Sequence, residues 1–351
     1  MNKKKQKIFV GVSGGVDSSV VAYLLTREGH EVHGVFVKTW SPEWLPCTWI
    51  DEKRDAMRVC AALDIPFHFL DAEQAYKDGV ADYMINEYRA GRTPNPDVLC
   101  NRVIKFGALW DYAKSEGADA VATGHYARTD GISLMKGIDE SKDQSYFLWM
   151  LTQEELAHIK FPIGHLPKDE VRRLAQKAGL FTSVKKDSQG ICFLGDVDMR
   201  EFLSHYIEQK EGEVVDTVGK VIGTHDGVWF HTLGERHGFR ITTKDTQTSA
   251  YYIVGKDIQL NRLIVDTTPK ALTQIVGKMT ITLRDTNWIQ KFDLSKTYTA
   301  QIRYHGSLIE AQIISDREVI LTHDGLIALG QSLVVYDGDI LVGGGIIDTL
   351  T

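Results

Sequence analysis

Seven consecutive residues, Ser13-Gly14-Gly15-Val16-Asp17-Ser18-Ser19, combine small hydroxyls, a carboxylate and two adjacent glycines. Ile8–Val12 before them is a short apolar, β-branched run that reads as a buried strand. Val20–Leu25 after them carries apolar residues at helical spacing, with Gly29 as a stop. A strand, a Gly/Ser turn and a helix start form an anion cradle. Glycines let the backbone approach oxygen atoms closely, and the first helical N–H groups face the negative charge. Asp17 adds an anchor for magnesium. A lone Ser-Gly-Gly is an ordinary turn with Asp17 or Ser18 as an N-cap. The full string between a strand and a helix is more specific. It differs from the G-x-x-x-x-G-K-[ST] loop, because no lysine follows the glycines.

Two of the four cysteines carry further chemistry. Cys47, Cys60, Cys100 and Cys192 include no C-x-x-C pair, which leaves a zinc site without support. In a reducing compartment a reactive thiol is favoured over a structural disulfide. Cys100 lies in Gly91-Arg92-Thr93-Pro94-Asn95-Pro96-Asp97-Val98-Leu99-Cys100-Asn101, where two prolines stiffen the loop and Asp97 and Asn101 flank the thiol. A helix is predicted to begin just after Cys100, at whose positive end a thiol pKa falls. Cys192 follows Lys185-Lys186-Asp187-Ser188-Gln189-Gly190-Ile191, and the two lysines favour thiolate. Cys60, on a predicted helix over Asp51–Leu63, and Cys47 read as small buried hydrophobes.

The composition is that of a soluble globular protein: 351 residues, 43% hydrophobic and 25% charged, enough for two or three domains. A net charge of −7 argues against non-specific nucleic-acid binding but leaves one specific RNA open through a local patch. The basic cluster Arg172, Arg173, Lys177, Lys185 and Lys186 reads as a solvated helix face. No apolar run is long enough to span a bilayer, and Ile8 opens a strand rather than a signal-peptide core, so a cytoplasmic protein is expected.

These residues need elements to hold them. Glu31–Val37, Phe67–Leu70 and Ala118–Thr123 read as further strands. Asp51–Leu63, Glu73–Tyr88, Arg102–Ser115 and Lys168–Ala178 read as helices, with Ala90–Asn101 a loop. The alternation predicts an α/β fold with a doubly wound parallel sheet and its ligand at the C-terminal strand ends near a switch point. Gly124-His125-Tyr126 lies at such an end and is a candidate second wall of a nucleotide pocket. Ile132–Lys136 reads as a hairpin strand. From about Gly212 short strands follow one another, including Val228–Phe230, and the last six suggest a small β-barrel. The predicted division is residues 1–203, 204–268 and 269–351, a parallel-sheet domain, a small mixed domain and the barrel.

SGGVDSS, GRTPNPDVLCN, ATGHYAR, KDQSYFL, KKDSQGICF, FHTLGERHGF and GQSLVVYDG occur in this order along the chain. The first resembles the pyrophosphate loop of enzymes that cut ATP between its α- and β-phosphates. The ordered set resembles the bacterial tRNA-specific 2-thiouridylases. The resemblance implies an ATP-pyrophosphatase domain binding ATP through Gly11, Val12, Ser13, Gly14, Gly15, Val16, Asp17 and Ser18, with Val37 and Gly124 completing the pocket. It implies that Asn95, Pro96 and Asp97 meet the target base and that Cys100 is the nucleophile. Cys192 would carry sulfur as a persulfide, and Cys100 and Cys192 could pair as a transient disulfide. His125, Lys142, Asp143, Gln144, Arg303, Tyr304 and Gln331 would contact tRNA. Two departures stand out: Val37 where the family commonly has Met, and Glu235 and His237 where it commonly has Gln and Lys. The second removes a cation and adds an anion, which is expected to weaken RNA contact there.

The implied reaction is ATP- and magnesium-dependent 2-thiolation of the wobble uridine in a tRNA anticodon stem-loop. Adenylation of O2 makes it a leaving group, and a persulfide delivers sulfur to C2, with Asp97 as an acid/base at the base edge. The base must be extruded from its stack, at about a few kcal/mol, so the small domain and barrel gain the role of holding the tRNA body. A cysteine desulfurase or a sulfur-relay protein would load Cys192. Two other readings stay open at this point: a ligase of the amidotransferase type using the same loop, and a non-catalytic RNA-binding protein with a nucleotide switch.

Overall fold

The computed structural model describes residues 4–45, 49–187, 197–242, 250–267, 277–323 and 325–351. Cys47 and Cys192 lie outside the described residues. Five parallel strands form the first sheet: β1 (Lys7–Gly11), β2 (Glu31–Lys38), β3 (Phe67–Asp71), β4 (Ala120–Ala122) and, after a hairpin, β7 (Ile159–Lys160). Their order is β3-β2-β1-β4-β7, so the chain reverses its direction of travel across the sheet between β1 and β4. Both faces are covered, as the apolar strands require. Phe9, Val35 and Val121 face a core with Tyr76, Met84, Ile104 and Phe106. Ile8, Val10, Val32 and Phe36 face another with Val20, Val21, Ala56 and Val59. Cys60 is buried in that second core, and burial pushes its thiol up to about 11, in keeping with a packing role.

Several sequence expectations shift. The helix expected after Cys100 begins earlier, at Pro96, and runs through a π-helical stretch, Cys100–Ala108, to Ser115. Asn95 takes the N-cap position with extended backbone and Pro96 follows at N1, where a missing N–H costs nothing. Cys100 therefore sits one turn inside the helix. Its own N–H is paired to the carbonyls of Pro96 and Asp97, and the thiol is buried. Val228–Phe230 is a 3-10 turn rather than a strand, entered through Gly227 at φ 142°.

The small central sheet holds β8 (Gly212–Val215), β9 (Val221–His225), β10 (Phe239–Ile241), β11 (Tyr252–Asp257) and β12 (Arg262–Asp266) in the order β10-β9-β8-β12-β11. His225 is buried there, with Nε2 at 3.2 Å from the Asn261 carbonyl and Nδ1 accepting from the Gly227 N–H at 2.9 Å. Burial, with the nearby His231, pushes its pKa down to about 4, against the raising influence of Asp226 and the Asn261 carbonyl. Its folded value lies below the unfolded one, so the stability it contributes is present above about pH 6.5 and is lost as pH falls toward the folded value. His225→Asn is expected to flatten unfolding free energy by about 3 kcal/mol over that window. Urea titrations at stepped pH check this, and an unchanged pH slope refutes it.

Six strands close the barrel: β13 (Lys278–Trp288), β14 (Thr297–Gln301), β15 (Ile309–Ser315), β16 (Glu318–Thr322), β17 (Ser332–Asp337) and β18 (Ile340–Leu350). Their order is β13-β16-β15-β14-β17-β18, and a β13–β18 pairing completes the circuit. Strict alternation of buried and exposed residues in β15 and β16 shows one face turned to the barrel core. The hairpin of β5 (Ala127–Thr129) and β6 (Leu134–Lys136) in the first domain extends this sheet, with Ile340 opposite Met135 and Leu341 opposite Leu134. Buried polar contacts reinforce the seam. The Tyr146 hydroxyl donates to the Ser332 carbonyl (2.8 Å), Trp149 Nε1 donates to Ser332 Oγ (3.0 Å), and Asn287 Nδ2 donates to the carbonyls of Trp149 (2.7 Å) and Leu151 (2.9 Å).

Candidate active site

The glycine-rich turn lies between β1 and the helix Val16–Arg27, beside the end of β4, at the switch point of the sheet. Gly14 takes φ 73°, and Gly15 caps the helix in an extended conformation without a side-chain hydrogen bond. The helix's first N–H groups are thereby left for a ligand. Ser18 Oγ accepts from the Ser13 N–H (3.2 Å) and donates to the Gly15 carbonyl (3.2 Å), which fixes the turn from within. Gly124, at the end of β4, approaches so closely that a Cβ there would lie 3.0 Å from the Ser18 nitrogen. Val12, Val16 and Val37 are buried, Val12 and Val16 in one core of the sheet and Val37 in the other.

Around this cradle stands a charge network that the motifs alone did not reveal. Lys168 Nζ donates to both oxygens of Asp17 (2.8 Å each), and the Tyr126 hydroxyl donates to Asp17 Oδ1 (2.8 Å). The same lysine lies 2.9 Å from Asp187, which also pairs with Arg172 (2.6 Å) and Lys142 (3.2 Å). Burial raises the Asp187 pKa, but Lys168 and Lys142 outweigh it and hold the carboxyl below its usual range. Lys185 Nζ bonds the Gly14 carbonyl (3.1 Å) and Asp55 (2.8 Å). Three cations, Lys168, Lys142 and Arg172, thus face two carboxylates, and the surplus positive charge borders a helix N-terminus. Such a site suits a polyphosphate. Arg172 and Lys185 turn into this network rather than lying on the free helix face expected of their cluster. Arg173 fits that expectation, being mostly exposed and paired with Glu170 on its own helix. Asp17 is committed to Lys168 and Tyr126, and among the described residues no three His, Cys, Asp or Glu side chains come together as a metal cage. A magnesium ion here would take its ligands from a bound polyphosphate and water, with at most the Asp17 carboxylate from the protein.

The second half of the chemistry meets the first through one helix. Residues 96–115 carry Cys100 at one end, and Leu109 lies 3.3 Å from where a Cβ on Gly11 would stand. Lys105, on the same helix, lies 3.4 Å from His125 Nε2. His125 is buried, with Nδ1 at 2.7 Å from Thr123 Oγ1. Burial and then Lys105 push its pKa well down, so it is neutral. Asn95 is hydrogen-bonded to the buried Tyr146 hydroxyl, and Asp97 lies in the field of Tyr304. Tyr304 packs tilted against Phe147, ring centroids 4.4 Å apart, and burial, then Asp143 and Asp97, raises its pKa to about 12. Asp143 accepts from the N–H groups of Gly137 (2.8 Å) and Ser145 (3.1 Å), and Gln144 accepts from the Tyr126 N–H (3.1 Å). These two side chains shape the turn beside the cradle. Arg303 is exposed at the barrel rim. Gln331 donates to the carbonyls of Thr93 (2.9 Å) and Pro94 (3.2 Å) in the Cys100 loop. Glu235 directs its carboxylate to His231 Nδ1 (3.2 Å), which turns part of the added negative charge inward.

No signal in the sequence ties Lys168 to Asp17, since the contact joins residues 151 positions apart. Tyr126 lies in ATGHYAR and its partner Asp17 in SGGVDSS, but nothing within either motif joins the two.

A parallel sheet with a phosphate-binding turn at its switch point, a second small sheet and a closed barrel define a multidomain nucleotide-binding protein. Its three parts match the tRNA methyl transferase HUP domain over residues 6–196, the tRNA methyl transferase PRC-barrel domain over 200–267 and the aminomethyltransferase beta-barrel domain over 278–347. The chain is 42% identical to the tRNA-specific 2-thiouridylase MnmA of Oceanobacillus iheyensis, over 99% of this chain and 96% of that one. It is 43% identical to the protein of that name from Stenotrophomonas maltophilia strain K279a, over 97% and 93%. The chain belongs to the tRNA-specific 2-thiouridylase family. Among the described residues no helix is long and apolar enough to cross a membrane.

Proposed function

We propose that this chain catalyses ATP-dependent 2-thiolation of uridine 34 in tRNA. One observation carries the reading. The helix that begins at Pro96 and bears Cys100 packs its Leu109 on Gly11 of the phosphate cradle, so the base-facing loop and the nucleotide loop share one rigid element. ATP would lie with its phosphates on Gly14–Ser18 and the cations Lys168, Lys142 and Arg172. Magnesium would come with the phosphates and supply further charge neutralisation. The uridine O2 attacks the α-phosphorus and pyrophosphate leaves. The backbone N–H groups at the helix start and the cations stabilise the charge that develops. Asn95, Pro96 and Asp97 would receive the base, Asp97 as proton acceptor or donor, while Arg303 and Tyr304 meet the tRNA.

Sulfur arrives as a persulfide on Cys192, loaded by a desulfurase or relay protein. Its outer sulfur attacks C2 and AMP leaves. The Cys100 thiolate then attacks the Cys192 sulfur of the resulting Cys192–S–S–C2 adduct, and 2-thiouridine leaves as the S–S bond breaks. A Cys100–Cys192 disulfide forms, and an external thiol must reduce it; if Cys100 attacks before transfer, hydrosulfide leaves and is itself the nucleophile at C2. The test is incubation of purified protein with unmodified tRNA, ATP, magnesium and sulfide, followed by mass analysis of nucleosides. 2-Thiouridine with stoichiometric pyrophosphate is expected. Pyrophosphate release that ignores tRNA and responds to a small carboxylate would instead indicate an amidotransferase-type ligase.

A further inference from the structure

The loop bearing Asn95, Asp97 and Cys100 cannot hold itself. Pro94 and Pro96 have no N–H groups, so the carbonyls around them lack local donors. The barrel supplies what is missing. Gln331 spends its amide N–H groups on the carbonyls of Thr93 and Pro94, at 2.9 and 3.2 Å. The opposite orientation of that amide would set its oxygen against two carbonyl oxygens, so the bonding fixes which way it points. The Thr93 N–H donates to the Leu329 carbonyl at 2.8 Å. Between them Gly330 takes φ 90°, and a Cβ there would stand 3.0 Å from Arg92 Cβ. Asn95, Val98 and Leu99 line a small cavity together with Gly330, Ser332 and Ile346.

A second hold lies at the start of the loop. Glu87 is buried on the preceding helix. Arg92 grips it through both Nε (2.7 Å) and Nη2 (2.6 Å), and Arg284 of β13 adds a third bond at 2.6 Å. Arg284 is in turn oriented by Asp285 at 3.1 Å. Bidentate arginine on a buried carboxylate is a directional contact. The Arg284 bond to the same carboxylate joins residues 197 positions apart across the two domains.

We propose that the barrel acts on the chemistry by positioning this loop, with Arg284 and Gln331 as its positioning residues. Gln331 then serves the loop directly, whatever contact it also makes with tRNA. The inference rests on the reading that this loop receives the target base. A loop held by bonds from two barrel sites keeps Asp97 and Cys100 in one register relative to the phosphate cradle, and a small misplacement of reacting groups costs rate more than affinity.

The experiment compares the wild-type chain with Gln331→Ala, Gln331→Glu, Arg284→Ala and Arg284→Lys. Three quantities are read: single-turnover thiolation, tRNA dissociation constant, and the rate at which iodoacetamide labels the Cys100 peptide in protein without tRNA, followed by mass spectrometry. Gln331→Ala and Arg284→Ala are expected to slow thiolation tenfold or more, leave the tRNA constant within twofold and raise Cys100 labelling several-fold. Gln331→Glu, which opposes a carboxylate to two carbonyls, falls below Gln331→Ala, and Arg284→Lys recovers part of the rate. Weakened tRNA binding with an unchanged rate at saturation would overturn the proposal and make Gln331 a tRNA contact. A lowered melting temperature with wild-type rate, binding and labelling would overturn it too. If Arg284→Ala fails to fold, the Gln331 pair and Arg284→Lys decide. If the wild-type chain forms no thiouridine, the functional reading has failed, and the Cys100 labelling still decides whether the barrel positions the loop.

Discussion

Cys100→Ser is expected to cut 2-thiouridine formation by about a thousandfold or more while tRNA-dependent pyrophosphate release stays within a few-fold of wild type. The two half-reactions use different atoms. Adenylation needs the cradle at Gly14–Ser18 and its cations, and the thiol has no part in it. Sulfur release from the Cys192 persulfide needs a nucleophile that a serine hydroxyl does not provide. Serine fits the buried volume of Cys100, so the loss is chemical rather than structural. Nucleoside mass analysis and a pyrophosphate assay on one reaction mixture measure both. Wild-type thiouridine levels in the variant would show that the persulfide reaches C2 without Cys100.

Gly14→Ala is expected to weaken ATP binding by about a hundredfold, which corresponds to about 3 kcal/mol. Two costs combine. Gly14 has φ 73°, where an L-residue is disfavoured by about 1–2 kcal/mol. An added Cβ would stand 2.8 Å from Asp55 Cβ and 3.0 Å from the Glu52 carbonyl oxygen. Both neighbours belong to the helix Trp49–Ala62, so the turn must move away from it. That movement breaks the Lys185 bond to the Gly14 carbonyl and re-aims the N–H groups that face the phosphates. Gly29→Ala is the control. Its φ is 86°, but nothing lies within 4 Å, so it should cost only the backbone strain and leave ATP affinity unchanged. Calorimetric titration with ATP separates the two. Equal losses of affinity in both variants would mean that Gly14 matters for stability alone.

The parallel sheet and the barrel were legible because burial writes itself into sequence. Strands covered on both faces, such as Ile8–Val10, are uniformly apolar, and strands with one covered face, such as Ile309–Ser315, alternate. Asn95-Pro96 is also a pattern for a helix start, as the N-cap and N1 positions they occupy bear out, while two prolines so close together equally suit a stiffened loop. An N-terminal proline serves either purpose, and only packing decides. Lys168 was not legible as the partner of Asp17, nor Lys142 as that of Asp187. An ion pair between distant segments leaves no periodicity and no turn chemistry to find. Gln331 shows a further limit: its motif was recognisable, while the direction of its amide belongs to the three-dimensional contact with Thr93 and Pro94.

The pairing of β6 with β18 means that the families matched along the chain are not independent units of folding. Cut away from the barrel, the first domain would present a bare strand edge at Leu134–Lys136, beside Tyr146 and Trp149, whose buried hydroxyl and indole N–H would lose their acceptors on Ser332. Exposed edges of this kind recruit other chains. An isolated nucleotide domain would therefore tend to aggregate, and substitutions at this seam would reach the cell first as lost protein.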